Sequence, residues 1–443
     1  MKRFIVEQSD TEFYTSHSGL ALVGLCLNRF TNLMVTLRAM IPLRHGISHS
    51  DIIKSYLGLL CLGKSDFEAV ENVRSDRFFK ESLGIGQVPS AARLRQRLDK
   101  HAKALLPVLY ATVIELLVKA KVPVTPLSIG HVALDIDVFP MDNSGTRKEG
   151  VSRTYKGVDG YAPIAAYLGE EGWCLACELR EGKQHCQKEF LYTLERVLPN
   201  ARKLTSLPLL VRLDSGHDAW ETRIELVRHE ADYILKWNPR RQDPHAWLQK
   251  AEALDQWETP REGKRVATFS VEEEKTVNGK TLRFRRVMQL TERTIDKHGQ
   301  ALLIPDIDIE GWWTSLDRAQ YDDQTIIALY RDHGTSEQFH SEFKTDLDIE
   351  RLPSGKFDTN DLIMTMAALG YNILRWIGLI SLTGDISPVR HRAKRRRLKT
   401  VIQELMYLAA RLIASGHRLK LRFSRHCAGF AAFDLAYDRL GYG

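Results

Sequence analysis

Three carboxylates, far apart along the chain, have the residue type and setting to do chemistry together: Asp137, Asp214 and Glu337. Asp137 stands near the carboxyl end of His131-Val-Ala-Leu-Asp-Ile-Asp-Val-Phe, whose alternation and β-branched residues predict a strand. Asp214 ends the apolar run Leu209-Leu-Val-Arg-Leu and is exposed by the turn residues Ser215-Gly216. Glu337 lies within Tyr330-Arg-Asp-His-Gly-Thr-Ser-Glu-Gln-Phe-His-Ser-Glu-Phe-Lys344. On a helix advancing roughly 100° per residue, Tyr330, His333, Glu337, Ser341 and Lys344 make one polar stripe. A core-facing stripe would be apolar. Hard oxygen ligands gathered at one point suit two Mg²⁺ (or Mn²⁺) ions acting on a phosphodiester backbone. A single strand-end aspartate is more often a turn former; three in suitable elements have chemical meaning. Asp135 shares a strand face with Asp137, because side chains repeat every two residues, and pattern alone does not separate them.

The elements that would position these groups follow in a recognisable order. After the first strand, Tyr161-Ala-Pro-Ile-Ala-Ala-Tyr-Leu and Trp173-Cys-Leu-Ala-Cys-Glu-Leu-Arg continue as a meander across Gly169-Glu-Glu-Gly172. A helix from about Lys188 to Val197, the strand ending at Asp214, a helix over Ala219–Arg228 and the strand Tyr233–Trp237 come next. This β-β-β-α-β-α-β order is that of a ribonuclease-H-like mixed sheet lacking its last helix. A polar stretch opens at Pro239 and carries Asn278-Gly279 between β-prone runs, a strong hairpin signal. The missing helix is expected at Asp323–Leu347. The chain therefore divides into a helical DNA-binding region (1–128), the first part of an α/β catalytic core (129–239), an inserted β domain (240–316), the second part of the core (317–385) and a basic helical C-terminal region (386–443).

The net charge of +7 over 443 residues favours an anionic partner. Ser90 is a plausible N-cap for a helix on which Arg93, Arg97 and Lys100 line one side, a solvated face or one laid on DNA. Arg395, Arg396 and Arg397 sit in a basic run that precedes the amphipathic segment Val401–Ile413, expected to be helical and to clamp a phosphate backbone. The first residues lack the apolar core of a signal peptide, and Asn372 and Arg375 interrupt the apolar stretch Leu362–Leu382, which reads as a buried helix. A cytoplasmic, nucleoid-associated protein with no membrane contact is expected, and its six cysteines are expected to be reduced. Cys174 and Cys177 lie three apart on a predicted strand, which points them to opposite faces and weakens a zinc reading. The chain has no G-x-x-x-x-G-K-[ST] phosphate loop.

These residues resemble the DDE transposases of bacterial insertion sequences, in the branch with a β insertion before the last catalytic helix. The signature of that branch, Y-x2-R-x3-E-x6-K, is matched at Tyr330, Glu337 and Lys344, with His333 where the family has arginine. Arg212-Leu-Asp214-Ser-Gly is similar to the family's R-x-D-S-G, and Gly160-Tyr161 and Leu179-Arg-Glu-Gly-Lys-Gln-His185 are similar to its second and third strands. The resemblance favours Asp137 over Asp135. It implies a cut-and-paste transposase in which Asp137, Asp214 and Glu337 bind the metals. The implied partners are double-stranded DNA with terminal inverted repeats, target DNA and a second copy of the chain. It also implies a flipped terminal base held by an insertion aromatic, with Trp257 a candidate and Trp312 and Trp313 others. A ribonuclease-H-like nuclease or resolvase that does not join strands, and a domesticated non-catalytic DNA-binding protein, are the competing readings.

Overall fold

The computed structural model describes residues 4–43, 45–277, 279–296, 298–416 and 418–442. Met1–Arg3 and Asn278 of the readings above lie outside them. One nine-stranded sheet organises the molecule. Its core strands are β1 (Val132–Val138), β2 (Ile164–Leu168), β3 (Trp173–Glu178), β4 (Leu209–Leu213) and β5 (Asp232–Lys236), in the spatial order β3-β2-β1-β4-β5. β1 is antiparallel to β2 and parallel to β4, and β4 is parallel to β5. This is the expected ribonuclease-H-like order.

Side-chain parity assigns each residue to a face. Leu134, Ile136, Leu209, Val211 and Leu213 point into the main core. Ala133, Leu210 and Ile234 point to the other face, where Ile326 and Ile327 of α9 (Asp323–Arg331) cover them together with Trp312. Strands buried on both faces need near-continuous apolar sequence, and Leu209-Leu-Val in β4 provides it. Asp135, Asp137, Arg212 and Asp214 share parity with Ala133 and Leu210. They interrupt the apolar set on the α9 face only.

The insertion continues the sheet. Strands β6 (Trp257–Arg261), β7 (Lys264–Val277), β8 (Lys280–Ile295) and β9 (Ala301–Thr314) extend it from β5, with Leu235 opposite Trp313. The hairpin of β7 and β8 pairs Val277 with Lys280, with Gly279 at φ +77°. A column of cations and rings joins insertion to core: Arg223 lies 4.0 Å from the Trp220 ring and 3.9 Å from that of Trp313, and Arg286 lies 4.5 Å from Trp313 and 4.7 Å from Trp237.

Cys174 and Cys177 depart from the expected alternation. The β2–β3 register slips between Ala166 and Tyr167, a bulge that resets the parity of β3. Both cysteines are buried, and burial pushes both thiols up, with Cys174 adding to the effect on Cys177.

The N-terminal region is helical, as expected, with α5 (Ala91–Lys119) capped by Ser90, whose hydroxyl accepts from the Arg93 amide at 3.2 Å. The stretch 362–382 lies almost entirely within α11 (Phe357–Ser381), which is buried against α5 and β3. The C-terminal region corrects the sequence reading. Helix over 401–413 stops at Met406, and β10 (Ala410–Ser415) pairs with β11 (Arg418–Phe423) and with Tyr14–Thr15. Arg418-Leu-Lys-Leu-Arg-Phe alternates at period two, a strand signal that outweighs the helical spacing before it. The two terminal regions thus form one body.

Candidate active site

The parallel ladder of β1 and β4 sets Asp135 opposite Arg212 and Ile136 opposite Leu213. One residue further, Asp137 and Asp214 leave the two strand ends side by side, on strands spaced about 4.8 Å apart. They line a cavity of about 520 Å³ with Arg153, Tyr155, Lys183 and Cys186. Each carboxylate accepts the amide of the residue after it, Asp137 from Val138 at 2.7 Å and Asp214 from Ser215 at 2.6 Å. Neither has an ion-pair partner among the described residues. Burial pushes the Asp137 carboxyl up to about 6, and the Asp214 and Asp135 charges add to the rise against the opposing field of His333.

Asp135 is in a different state, although it shares the face. Arg212 donates to both its oxygens, at 2.6 and 2.8 Å, and His333 pairs with it at 3.0 Å. Burial opposes its ionisation, but His333 and Arg212 together outweigh burial and hold the carboxyl down at about 2. Its charge is fully matched, which leaves Asp137 as the carboxylate available to a ligand. The sequence did not announce this lock. The signal was present in the matching offsets: Arg212 precedes Asp214 by two, as Asp135 precedes Asp137.

The expected continuous helix Asp323–Leu347 is broken. α9 ends at Arg331, a 3₁₀ turn covers Asp332–Gly334, α10 covers Thr335–Ser341, and a π turn covers Glu342–Asp346. Turns of different pitch destroy a stripe drawn at a constant angle. Gly334 is a weak helix former, and the preceding His333 is drawn to Asp135. The five residues of the stripe therefore diverge. Tyr330 faces the aspartates: burial, then the charges of Asp214 and Asp137, pushes its phenol up, so it stays protonated. Lys344 donates to the Pro140 carbonyl at 3.0 Å, just beyond the end of β1, and pairs with Glu350 at 3.0 Å. Ser341 faces Arg397. Glu337 is exposed, and no group of three His, Cys, Asp or Glu side chains among the described residues is arranged to hold a metal.

His333, which stands where the signature has arginine, is tied to the sheet. A free histidine is mostly neutral at pH 7, but Asp135 overcomes the effect of burial and raises this one. The ring is committed to Asp135, with 9% of the residue exposed, so it is not offered to a phosphate.

The remaining candidates separate by exposure. Trp312 and Trp313 are buried and belong to the core. Trp257 is only partly buried, with the Arg265 guanidinium 4.2 Å from its ring. Arg93 is exposed, whereas Arg97 donates to the Ile47 carbonyl at 2.6 Å. Arg396 is buried and donates to the Leu382 and Val389 carbonyls. It is therefore not a DNA contact. Arg395 and Arg397 face α10 and the π turn.

Two carboxylates thus lie together at the carboxyl ends of adjacent parallel strands of a ribonuclease-H-like mixed sheet, with the Tyr330 phenol facing them. The family described as transposase DDE domain, group 1, matches residues 2–441, and the chain belongs to that family. No curated protein matches it. Among solved structures, a piggyBac transposase synaptic complex with hairpin DNA is similar, at 10% identity and a TM-score of 0.40 over 88% of this chain and 80% of that one. A likeness that loose carries no argument, and the assignment rests on the family match and the site.

Proposed function

We propose that this DDE transposase moves DNA by cutting and pasting, and that Asp137, Asp214 and Glu337 hold two Mg²⁺ (or Mn²⁺) ions. The observation carrying the reading is that Asp137 and Asp214, each one residue beyond the paired Ile136 and Leu213, line one cavity, and neither has an ion-pair partner among the described residues. The donor set fits the group: hard carboxylate oxygens, one of them costly to ionise until a cation arrives. When bound, such ions supply activation of the attacking oxygen and stabilisation of the leaving one.

The chain's own residues do the rest. Asp135, committed to Arg212 and His333, fixes the end of β1 without competing as a ligand. Tyr330 donates its phenolic proton to a phosphate oxygen beside the pair, and Lys344 places its charge past the strand end. Glu337, carried on α10, completes the set with the pair. Water attacks the phosphodiester at the element end and releases a 3′-hydroxyl. That hydroxyl then attacks target DNA, forming one phosphodiester as the target's own 3′-oxygen leaves. The partners are double-stranded DNA with terminal inverted repeats and target DNA, held by a homodimer, with Arg93 on the backbone and Trp257 against an unpaired base.

The test is strand transfer with paired element ends in Mg²⁺. Wild-type protein should nick and join; Asp137→Asn, Asp214→Asn and Glu337→Gln should do neither while still binding the ends. Nicking without joining would point to a nuclease or resolvase, and binding without nicking to a domesticated protein. Undiminished cleavage by Glu337→Ala would remove Glu337 from the site.

A further inference from the structure

Two arginines of the C-terminal run, Arg395 and Arg397, point inward onto the segment that carries Glu337. Arg397 donates to Asp346 at 2.9 Å, to Ser341 at 2.9 Å and to Thr345 at 2.9 Å, spanning the π turn after α10. The Lys399 amide adds a bond to Asp346 at 3.0 Å. Arg395 lies 4.6 Å from the Phe339 ring and anchors to the Glu170 carbonyl at 2.8 Å. Behind them the buried Arg375 bonds Glu342 and donates to the Arg396 carbonyl at 2.6 Å. A chain segment some fifty residues downstream thus grips both the ring two residues after Glu337 and the turn that ends its helix.

We infer that Arg397, aided by Arg395, is a positioning clip: it sets the rotation and height of α10 and so fixes where that helix presents Glu337 relative to Asp137 and Asp214. A single π turn within a helix is rare and frequently marks a functional site. Three acceptors on one guanidinium pin this one in place, and a planar fork does this where a lysine ammonium cannot. Arg397 therefore acts on catalysis through Glu337 and not through the DNA backbone. This inference rests on the proposal that Glu337 belongs to the metal site.

The experiment compares full-length wild type, Arg397→Ala, Arg397→Lys and Glu337→Ala on duplex ends. Single-turnover nicking in Mg²⁺, end-binding affinity across a salt series, and hydrogen exchange of residues 337–346 are measured for each. Arg397→Ala should slow nicking at saturating DNA about 10–100-fold with affinity and salt slope unchanged. Its exchange in 337–346 should rise at least about tenfold, and Arg397→Lys should recover only part of both, because one ammonium does not span three acceptors. A salt slope reduced by about one, with nicking restored at saturating DNA, would make Arg397 a phosphate contact and overturn the clip. Wild-type exchange in Arg397→Ala would overturn it as well. Full nicking by Glu337→Ala would instead overturn the site assignment, and the exchange result would still judge the clip.

Discussion

Replacing Asp137 by asparagine should stabilise the metal-free protein while abolishing its chemistry. The Asp137 carboxyl stands at about 6 in the fold against an ordinary 3.8, raised first by burial and then by Asp214 and Asp135. At about 1.36 kcal/mol per unit, holding it ionised costs the fold about 3 kcal/mol at pH 7.5. The sign follows from proton linkage: a carboxyl with a raised folded pKa binds protons more readily in the folded state. Its stabilising contribution is complete below about 4 and is lost as pH rises through about 6. Asparagine is neutral throughout and carries no such dependence. The residue is only partly buried, and solvent in the cavity screens its charge, so a gain of about 1–2 kcal/mol is expected at pH 7.5. That gain should fall to roughly half at pH 5. Urea unfolding in EDTA at the two pH values measures it. Adding Mn²⁺ should then stabilise the wild type by mass action and leave Asp137→Asn nearly unmoved. Destabilisation by Asp137→Asn at pH 7.5, or a difference that does not change with pH, would refute the unpaired-carboxylate reasoning.

Arg212→Leu leaves Asp135 buried with half its partners and should cost about 3–5 kcal/mol; adding Asp135→Leu should recover most of it, as a double-mutant unfolding cycle would show. Gly172 sits at φ +73°, and an added Cβ would lie 2.2 Å from the Phe339 ring, so Gly172→Ala should destabilise by about 1–3 kcal/mol. It should also slow nicking more than it weakens DNA binding, because Phe339 shares α10 with Glu337. His340 is buried, stacked 4.5 Å from Phe139, and burial lowers its pKa to about 3. A depressed histidine is neutral in the fold, so acid favours the unfolded chain below about 6.5: the stability difference between pH 8 and pH 5 should shrink by about 2 kcal/mol in His340→Phe.

Much of this was legible because it is local. The alternation of His131–Phe139, the apolar run ending at Asp214 and the Asn-Gly turn each specify an element within a few residues. Their order then leaves few sheets to build. Asp214 was legible for the same reason, since a strand end followed by Ser-Gly can hardly be other than a loop mouth, whereas alternation alone left Asp137 and Asp135 unseparated. The strands that stayed hidden, Ala410–Ser415 and Arg418–Phe423, follow a helical pattern directly, and no Pro or Asn-Gly separates them. Their pairing with each other, extended by Tyr14–Thr15 some four hundred residues earlier, decides the competition.

What stayed illegible is the partner of each charge. A run of arginines reads as a solvated or DNA-facing patch because sequence gives sign without direction. Arg396 is buried against carbonyls and Arg397 against Asp346, contacts fixed by the path of α11 and not by anything near them in the chain. The same limit hid the break at Gly334. The signature spacing from Tyr330 to Lys344 suggests an unbroken helix, and an unbroken helix would present all five polar residues together. Asp135 and Arg212 reach across from two strands and capture His333. The helix gives up a regular turn because a buried Asp135 without its cations would cost more than the backbone bonds it loses. A family arginine at that position, longer and always charged, would have stretched toward a phosphate. The shorter histidine ties the step before Glu337 to the sheet, so the two ends of α10 are held by different charges, His333 at its entry and Arg397 at its exit.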